Sequence, residues 1–273
     1  MEVKLYTGLD IGHIPATPMI TTHGEEMIPD AYNVLRTIAS RYGFIVGYKQ
    51  EQRGLRIQHV LPNPKTEYGQ ISTSSKTELK LHTETAFHPY KPDHIFLLCL
   101  RGDQNAPTTY AKVSTIVDKL FYKFGAEDVV DELQLPNFET SLDDSFMVDG
   151  TPNSKFVMPI LRLVGDPRRT DAPWHMTYDH HLMRGLTPGA ERALQVLEEA
   201  ISESIEEYAL DAGQLLIINN NTVIHGRKPF QARYDGTDRW LLRAMTRRSL
   251  PAKEHFDFVN NVITTTFGQS SHA

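Results

Sequence analysis

Three residues open a chemical reading of this chain: His82 and Glu84 in LKLHTETAFHP, and His225 in NNNTVIHGR. On an extended segment, residues two apart point to one face. His82 and Glu84 can then reach a single ion together, and His225, where a strand re-emerges from a polar turn, is the best-placed third donor. Two imidazoles and a carboxylate leave three positions of an octahedron open, the facial set that suits non-haem Fe(II). The tripeptide alone is weak, since a surface His beside a surface Glu explains it as well. Arg239 adds weight. It stands in RWLLR, where alternation puts Arg239, Leu241 and Arg243 on one face of a strand. A guanidinium in a strand-built pocket requires an anion, because an unpaired buried charge is costly, and its forked donors match a carboxylate. A dicarboxylate touching the metal at one end and Arg239 at the other satisfies both groups. The plain alternative is a surface Arg on an edge strand.

The elements that must position these residues follow from periodicity. Residues 30–43 read as a helix capped by Asp30 and stopped by Gly43. Residues 93–100 read as a short buried strand, and 108–121 as a second helix preceded by Pro107. Residues 156–164 read as a strand that Pro159 places at an edge or a bulge. Residues 187–208 give the longest helix, with Thr187 as cap, Pro188 in the first turn, and an apolar stripe through Leu194, Leu197, Ile201, Ile205 and Tyr208. Two strands around Asn219–Asn221 and a last one at 239–247 complete the strand-rich second half. This predicts a mostly β fold with flanking helices, a sandwich or jelly roll, over one domain spanning residues 1–273.

Composition excludes several classes. The chain has 273 residues, one Cys, twelve His and a formal net charge of −6. One Cys rules out an intrachain disulfide framework and a multi-Cys zinc site. The absence of basic runs argues against duplex nucleic acid as a partner. No apolar run has signal-peptide or membrane-spanning length, which predicts a cytoplasmic protein with no membrane partner. The oligomeric state is not legible. Cys99, inside IFLLCL, reads as a buried core thiol.

HTE, a distant HGR and then DGTDRWLLR resemble the clavaminate synthase-like group of Fe(II)/2-oxoglutarate oxygenases, which includes bacterial arginine, asparagine and lysine hydroxylases. The resemblance covers roughly residues 56–248 through ISTSSKTELKLHTETAFHPY, LLCLRGD, YDHHLM and HGRKPFQARYDGTDRW. It implies a double-stranded β-helix core, with Fe(II), 2-oxoglutarate and O2 as the reacting partners. His82, Glu84 and His225 would ligate iron, and Arg239 would hold the distal carboxylate of 2-oxoglutarate. Thr109 resembles a position where the family places a hydroxyl on that carboxylate; Thr108 is its neighbour, and a helix N-cap is the other reading of Thr109.

On the substrate side, Ser72 resembles a substrate-contacting serine, although a Ser/Thr turn explains the STSS run equally. Asp179 resembles an acidic position that meets the polar end of the substrate side chain; a turn Asp is the alternative. Arg243 would meet a substrate or cosubstrate carboxylate. Gln58 and Glu67 lie where the family often binds an α-amino group, but the alignment there is loose. The implied activity is hydroxylation at C3 or C4 of a free L-amino acid, arginine first, with asparagine or lysine as alternatives. Glu84 itself favours hydroxylation over halogenation, since related halogenases lack that carboxylate. Other readings are a carrier-tethered or peptidyl substrate, desaturation or cyclisation, a zinc hydrolase without HExxH, and a non-catalytic jelly-roll binding protein. The acidic stretch 134–155 reads as a lid or as a solvated connection.

Overall fold

The computed structural model describes residues 2–19, 24–143, 146–147, 154–165 and 173–267. Its first half contains β1 (Val3–Tyr6), α1 (Pro29–Ala39), β2 (Phe44–Tyr48), β3 (Ile57–Val60), β4 (Leu79–His82), β5 (His94–Arg101), β6 (Thr108–Lys112), α2 (Val113–Tyr122) and α3 (Glu127–Leu133). Then come β7 (Phe138–Ser141), β8 (Lys155–Met158), β9 (Leu161–Leu163), β10 (Trp174–Met176), β11 (Arg184–Gly185) and α4 (Pro188–Ser202). The last part holds β12 (Glu206–Tyr208), β13 (Leu215–Asn219), β14 (Val223–Arg227), β15 (Trp240–Arg247), β16 (Phe256–Asp257) and β17 (Val262–Ile263).

Two sheets face each other as a jelly roll. The larger runs β1-β13-β5-β15-β2-β17-β16, with β3 also on β15; the smaller runs β12-β6-β14-β4. The run IFLLCL is apolar throughout because both faces of β5 are covered. Ile95, Leu97 and Cys99 face the space between the sheets, with Leu216, Ile218, Val223 and Leu241. Phe96, Leu98 and Leu100 face α1 together with Trp240 and Leu242. On the far side, α2, α3 and α4 cover the smaller sheet through Leu81, Ala111 and Ile224.

Several sequence expectations are corrected. Residues 108–112 are a strand, not the start of a helix: Thr108 and Thr109 are β-branched, and pairing with β14 and β12 on either side outweighs the helical spacing. Helix α2 begins only at Val113. Asp30 does not cap α1; Pro29 fills the first turn and the cap position is Ile28. Helix α4 is capped by Thr187, whose hydroxyl accepts from Ala190 N–H at 3.0 Å, but it ends at Ser202. Beyond it Ile205 is exposed and Tyr208 lies on the edge strand β12. Pro159 divides the expected 156–164 strand into β8 and β9, which join different small sheets. The two strands expected around Asn219–Asn221 are present and go to different sheets: β13 enters the larger and β14 the smaller. This crossing carries His225 to the cavity. Part of the 134–155 stretch forms β7 and the start of β8, while residues 144–145 and 148–153 lie outside the described residues.

Candidate metal centre and active site

The cavity opens between the two sheets, and its wall includes His82, Glu84, His225, Arg239, Arg243, Thr108, Ser72 and Asp179. Strand β14 pairs with β4 so that His225 stands opposite His82. The close approach depends on Gly226, because a Cβ there would lie 2.3 Å from the Leu79 carbonyl oxygen. Glu84 lies just beyond β4, and its main chain is clamped by Asn220. The Glu84 N–H donates to Asn220 Oδ1 at 2.8 Å, and Asn220 Nδ2 donates to Glu84 O at 3.1 Å and to Pro92 O at 2.9 Å. The same β13–β14 turn thus fixes the carboxylate and launches the strand bearing His225.

One ligand atom from each of His82, Glu84 and His225 lies within 4.8 Å of the other two. Glu84 Oε2 is 3.4 Å from His225 Nε2 and 4.0 Å from His82 Nε2. Adjacent donors around an ion with bonds of ~2.1 Å are about 3 Å apart, so small side-chain adjustments bring the three atoms onto one ion. Glu84 Oε2 is buried and has no hydrogen-bond partner among the described residues, the mark of an atom that expects a cation. His82 Nδ1 lies 2.8 Å from the Lys80 carbonyl; donating there leaves the Nε2 lone pair for a metal. Burial opposes ionisation of Glu84, but Arg243, then His225 and His82, outweigh it and hold the carboxyl well below its usual range. Burial keeps His225 below the usual imidazole value. These are the ionisation states a metal requires, and the donor set fits Fe(II).

At another part of the cavity wall, Arg239 is 7% exposed and forms no ion pair among the described residues. Burial pushes its guanidinium down to about 10. Arg227, 3% exposed, lines the same cavity, and burial and then the neighbouring charge of Arg239 bring it down to about 9. Arg227 has its donors occupied by Ser74, Thr77 and Lys228, so Arg239 is the guanidinium left to meet an anion.

The remaining expected contacts divide. Ser72 lines the cavity with Gln70 and Ile71. Asp179 lines it beside His82, to which it is bridged, but its Oδ1 accepts from His181 N–H at 2.8 Å and Leu182 N–H at 3.0 Å, so it also serves a turn. Thr108 lines the cavity and Thr109 does not: alternation along β6 turns Thr109 to the opposite face. Arg243 has its fork engaged within the protein. It donates to Glu84 Oε1 at 3.0 Å, to Gln58 Oε1 at 3.0 Å through Nε, and to Glu51. Its expected freedom to meet a ligand is therefore corrected: it already serves two buried carboxylates. Glu67 is tied to Lys76 and to the Tyr234 hydroxyl, off the cavity wall. Glu51, missed in the sequence, lines the cavity, and its Oε2 is buried without a hydrogen-bond partner among the described residues. No local signal marks it, because it lies in a turn and its partner is 192 residues away.

Residues 159–245 match the family described as taurine catabolism dioxygenase TauD, TfdA family. The L-asparagine oxygenase of Streptomyces coelicolor is 32% identical over 237 residues, covering 87% of this chain and 68% of the relative. This chain belongs to the TauD/TfdA family of dioxygenases. The L-lysine 3-hydroxylase of Catenulispora acidiphila is 31% identical over 85% of this chain and 63% of its own length. The enduracididine beta-hydroxylase of Streptomyces hygroscopicus is 31% identical over 78% and 66%. The chain thus spans 63% to 68% of the length of these three relatives. An asparagine oxygenase in complex with Fe(II), 2S,3S-3-hydroxyasparagine and succinate superposes with a TM-score of 0.84 at 27% identity, over 97% of this chain and 80% of that one. The non-heme iron oxygenase OrfP in complex with Fe and alpha-ketoglutaric acid gives 0.80 at 27% identity, over 97% and 81%. Among the described residues no helix is long and apolar enough to cross a membrane.

Proposed function

We propose that this protein is an Fe(II)- and 2-oxoglutarate-dependent oxygenase that hydroxylates C3 or C4 of a free L-amino acid, with arginine the first candidate. The observation that carries the reading is one cavity that joins a His–Glu–His set to the buried guanidinium of Arg239, which has no ion pair among the described residues. A five-carbon 2-oxo dicarboxylate has a chelating group for the first and an anionic end for the second. Fe(II), when bound, supplies the O2 activation by which 2-oxoglutarate becomes succinate and CO2 while one oxygen enters a substrate C–H bond.

The protein's own work is positioning. His82, Glu84 and His225 hold the metal, and Arg239 with the Thr108 hydroxyl holds the distal carboxylate. Glu51 Oε2, an unpartnered carboxylate oxygen, takes the amino group of the substrate. Ser72 meets the substrate, and Asp179 faces a cationic or amide side-chain end. Enclosure between the sheets excludes water. The names of the relatives, which act on lysine, asparagine and enduracididine, support an amino-acid substrate.

The test is succinate release across the proteinogenic amino acids with Fe(II), 2-oxoglutarate and ascorbate, followed by product mass. A gain of one oxygen is expected with one or a few cationic or polar amino acids. Succinate release that no amino acid stimulates would turn the reading toward a tethered substrate, and no release at all would defeat it. Asp179→Ala should raise KM steeply for a cationic substrate; an unchanged KM removes Asp179 from the site.

A further inference from the structure

The HGR motif contributes more than a metal ligand. Arg227 lies two residues beyond His225 on the same strand face. Its Nη2 donates to Ser74 Oγ at 3.2 Å and to Thr77 O at 2.6 Å, its Nη1 donates to Ser74 O, and its Nε donates to Lys228 O at 2.9 Å. The Phe230 ring centre is 5.0 Å from the guanidinium carbon. All these acceptors are neutral. Three of the four belong to the 63–77 segment, which brings Gln70, Ile71 and Ser72 to the cavity wall. That segment consists of turns without a strand or helix. Arg227 shares the task of holding it with the Phe230 N–H on Ser75 O at 2.8 Å, the Tyr234 hydroxyl on Glu67 at 2.9 Å, and Gln70, whose Nε2 donates to Glu78 O at 3.0 Å and whose Oε1 accepts from Lys80 N–H at 3.3 Å.

One guanidinium therefore touches both ends of the problem: it anchors the wall that carries Ser72, and it lines the same cavity as Arg239, whose charge acts on it. Two like charges held together in a low-dielectric pocket repel, and either relieves the repulsion by moving toward water. For Arg227, that movement breaks its bonds to Ser74 and Thr77. An anion on Arg239 removes the repulsion and favours the seated position. We propose that Arg227 is a positioning residue that seats the 63–77 segment as a wall of the substrate pocket, and that a dicarboxylate on Arg239 strengthens this seating. The inference rests on the functional reading above in one respect, that the dicarboxylate binds at Arg239. The coupling is a population shift: the anion stabilises the seated state more than the unseated one.

The experiment uses the full chain without added metal and reads amide hydrogen exchange across 63–77, with succinate as the probe and chloride at equal ionic strength as the control. The Ser74, Ser75 and Lys76 amides, which donate to Ile71 O and Glu67 O, report on seating. Saturating succinate should slow their exchange at least tenfold in the wild type. Arg227→Lys keeps the charge and loses the fork; it should abolish that slowing while calorimetry finds the succinate Kd within threefold of wild type. In turnover, the same variant should raise the amino-acid KM at least tenfold and leave the KM for 2-oxoglutarate within threefold. Succinate that binds without slowing exchange, or slowing that survives in Arg227→Lys, overturns the inference and leaves the functional reading standing. Absence of succinate binding, read in the wild type and so independent of any variant's folding, defeats the anion-site assignment and this inference together.

Discussion

Replacing Arg243 with Met tests the electrostatic design of the metal centre. Arg243 is 6% exposed in its side chain, and its two carboxylate partners are as deeply placed: Glu51 at 9% and Glu84 at 8%. With the arginine gone, two neighbouring buried carboxylates share no counter-ion. Removing one partner of a buried charge pair costs about 3–5 kcal/mol, against a total stability of roughly 5–15 kcal/mol for a domain. At roughly 2–4 °C per kcal/mol, the expected loss in Tm is on the order of 10 °C. The assay is urea unfolding of the metal-free protein, for Arg243→Met, Glu51→Gln and the double variant. If the loss comes from stranded charge, removing the Glu51 charge as well should restore at least about 1 kcal/mol relative to Arg243→Met alone. A single-variant loss below about 1 kcal/mol, or a double variant that merely adds the two single losses, would refute the reasoning.

Three further outcomes are expected. Asn220→Ala removes the clamp on the Glu84 main chain and should weaken Co(II) binding, followed by its absorption spectrum, by about 10- to 100-fold; an unchanged affinity means that the clamp does not orient the ligand. Arg239→Gln should raise the KM for 2-oxoglutarate by about 100-fold, as expected for about 3 kcal/mol of a buried charge-assisted contact, with a smaller effect on kcat; a lost kcat at unchanged KM would contradict the anchoring role. Burial pushes His59 down to about 4 and His88 down to about 3, so both stay neutral in the folded protein while the unfolded chain takes up protons below about 6.5. Their stabilisation is complete above pH 6.5 and falls as pH drops toward 4, by roughly 2–3 kcal/mol each at pH 4.5. A urea midpoint that is flat from pH 7 to 4.5 would contradict this.

What the sequence makes legible is local. The short apolar run of β5 identifies a buried strand, and alternation along 239–243 puts Arg239, Leu241 and Arg243 on one face. The HTE tripeptide supplies two donors whose spacing only an extended chain makes useful. What it hides depends on distant partners. Nothing within TTYAK decides between helix and strand; β14, more than a hundred residues later, decides it. That decision fixes which threonine faces the cavity, since on a strand neighbouring residues point to opposite sides. Arg243 shows the same limit. Its face is readable, but its occupation by Glu51 and Gln58 is not, because those contacts span 192 and 185 residues.

The occupation of Arg243 bears on what the cavity admits. Without a metal, Arg243 and the two carboxylates it bridges, Glu51 and Glu84, both counted as ionised, sum to a formal charge of −1. A divalent cation brings the cluster to +1, and one chelating carboxylate then brings it to zero. An amino-acid zwitterion leaves that balance unchanged, whereas a second unaccompanied carboxylate would drive it negative beside charged side chains that are all buried. The metal end therefore accepts one net negative charge, that of the chelating 2-oxo acid, and favours a substrate whose ammonium group enters with its carboxylate. Amino acids and their N-acylated analogues differ in just this respect. Acylation should cost activity far beyond its steric effect on small substrates, and the loss should shrink in Glu51→Gln, where the cluster carries one negative charge fewer.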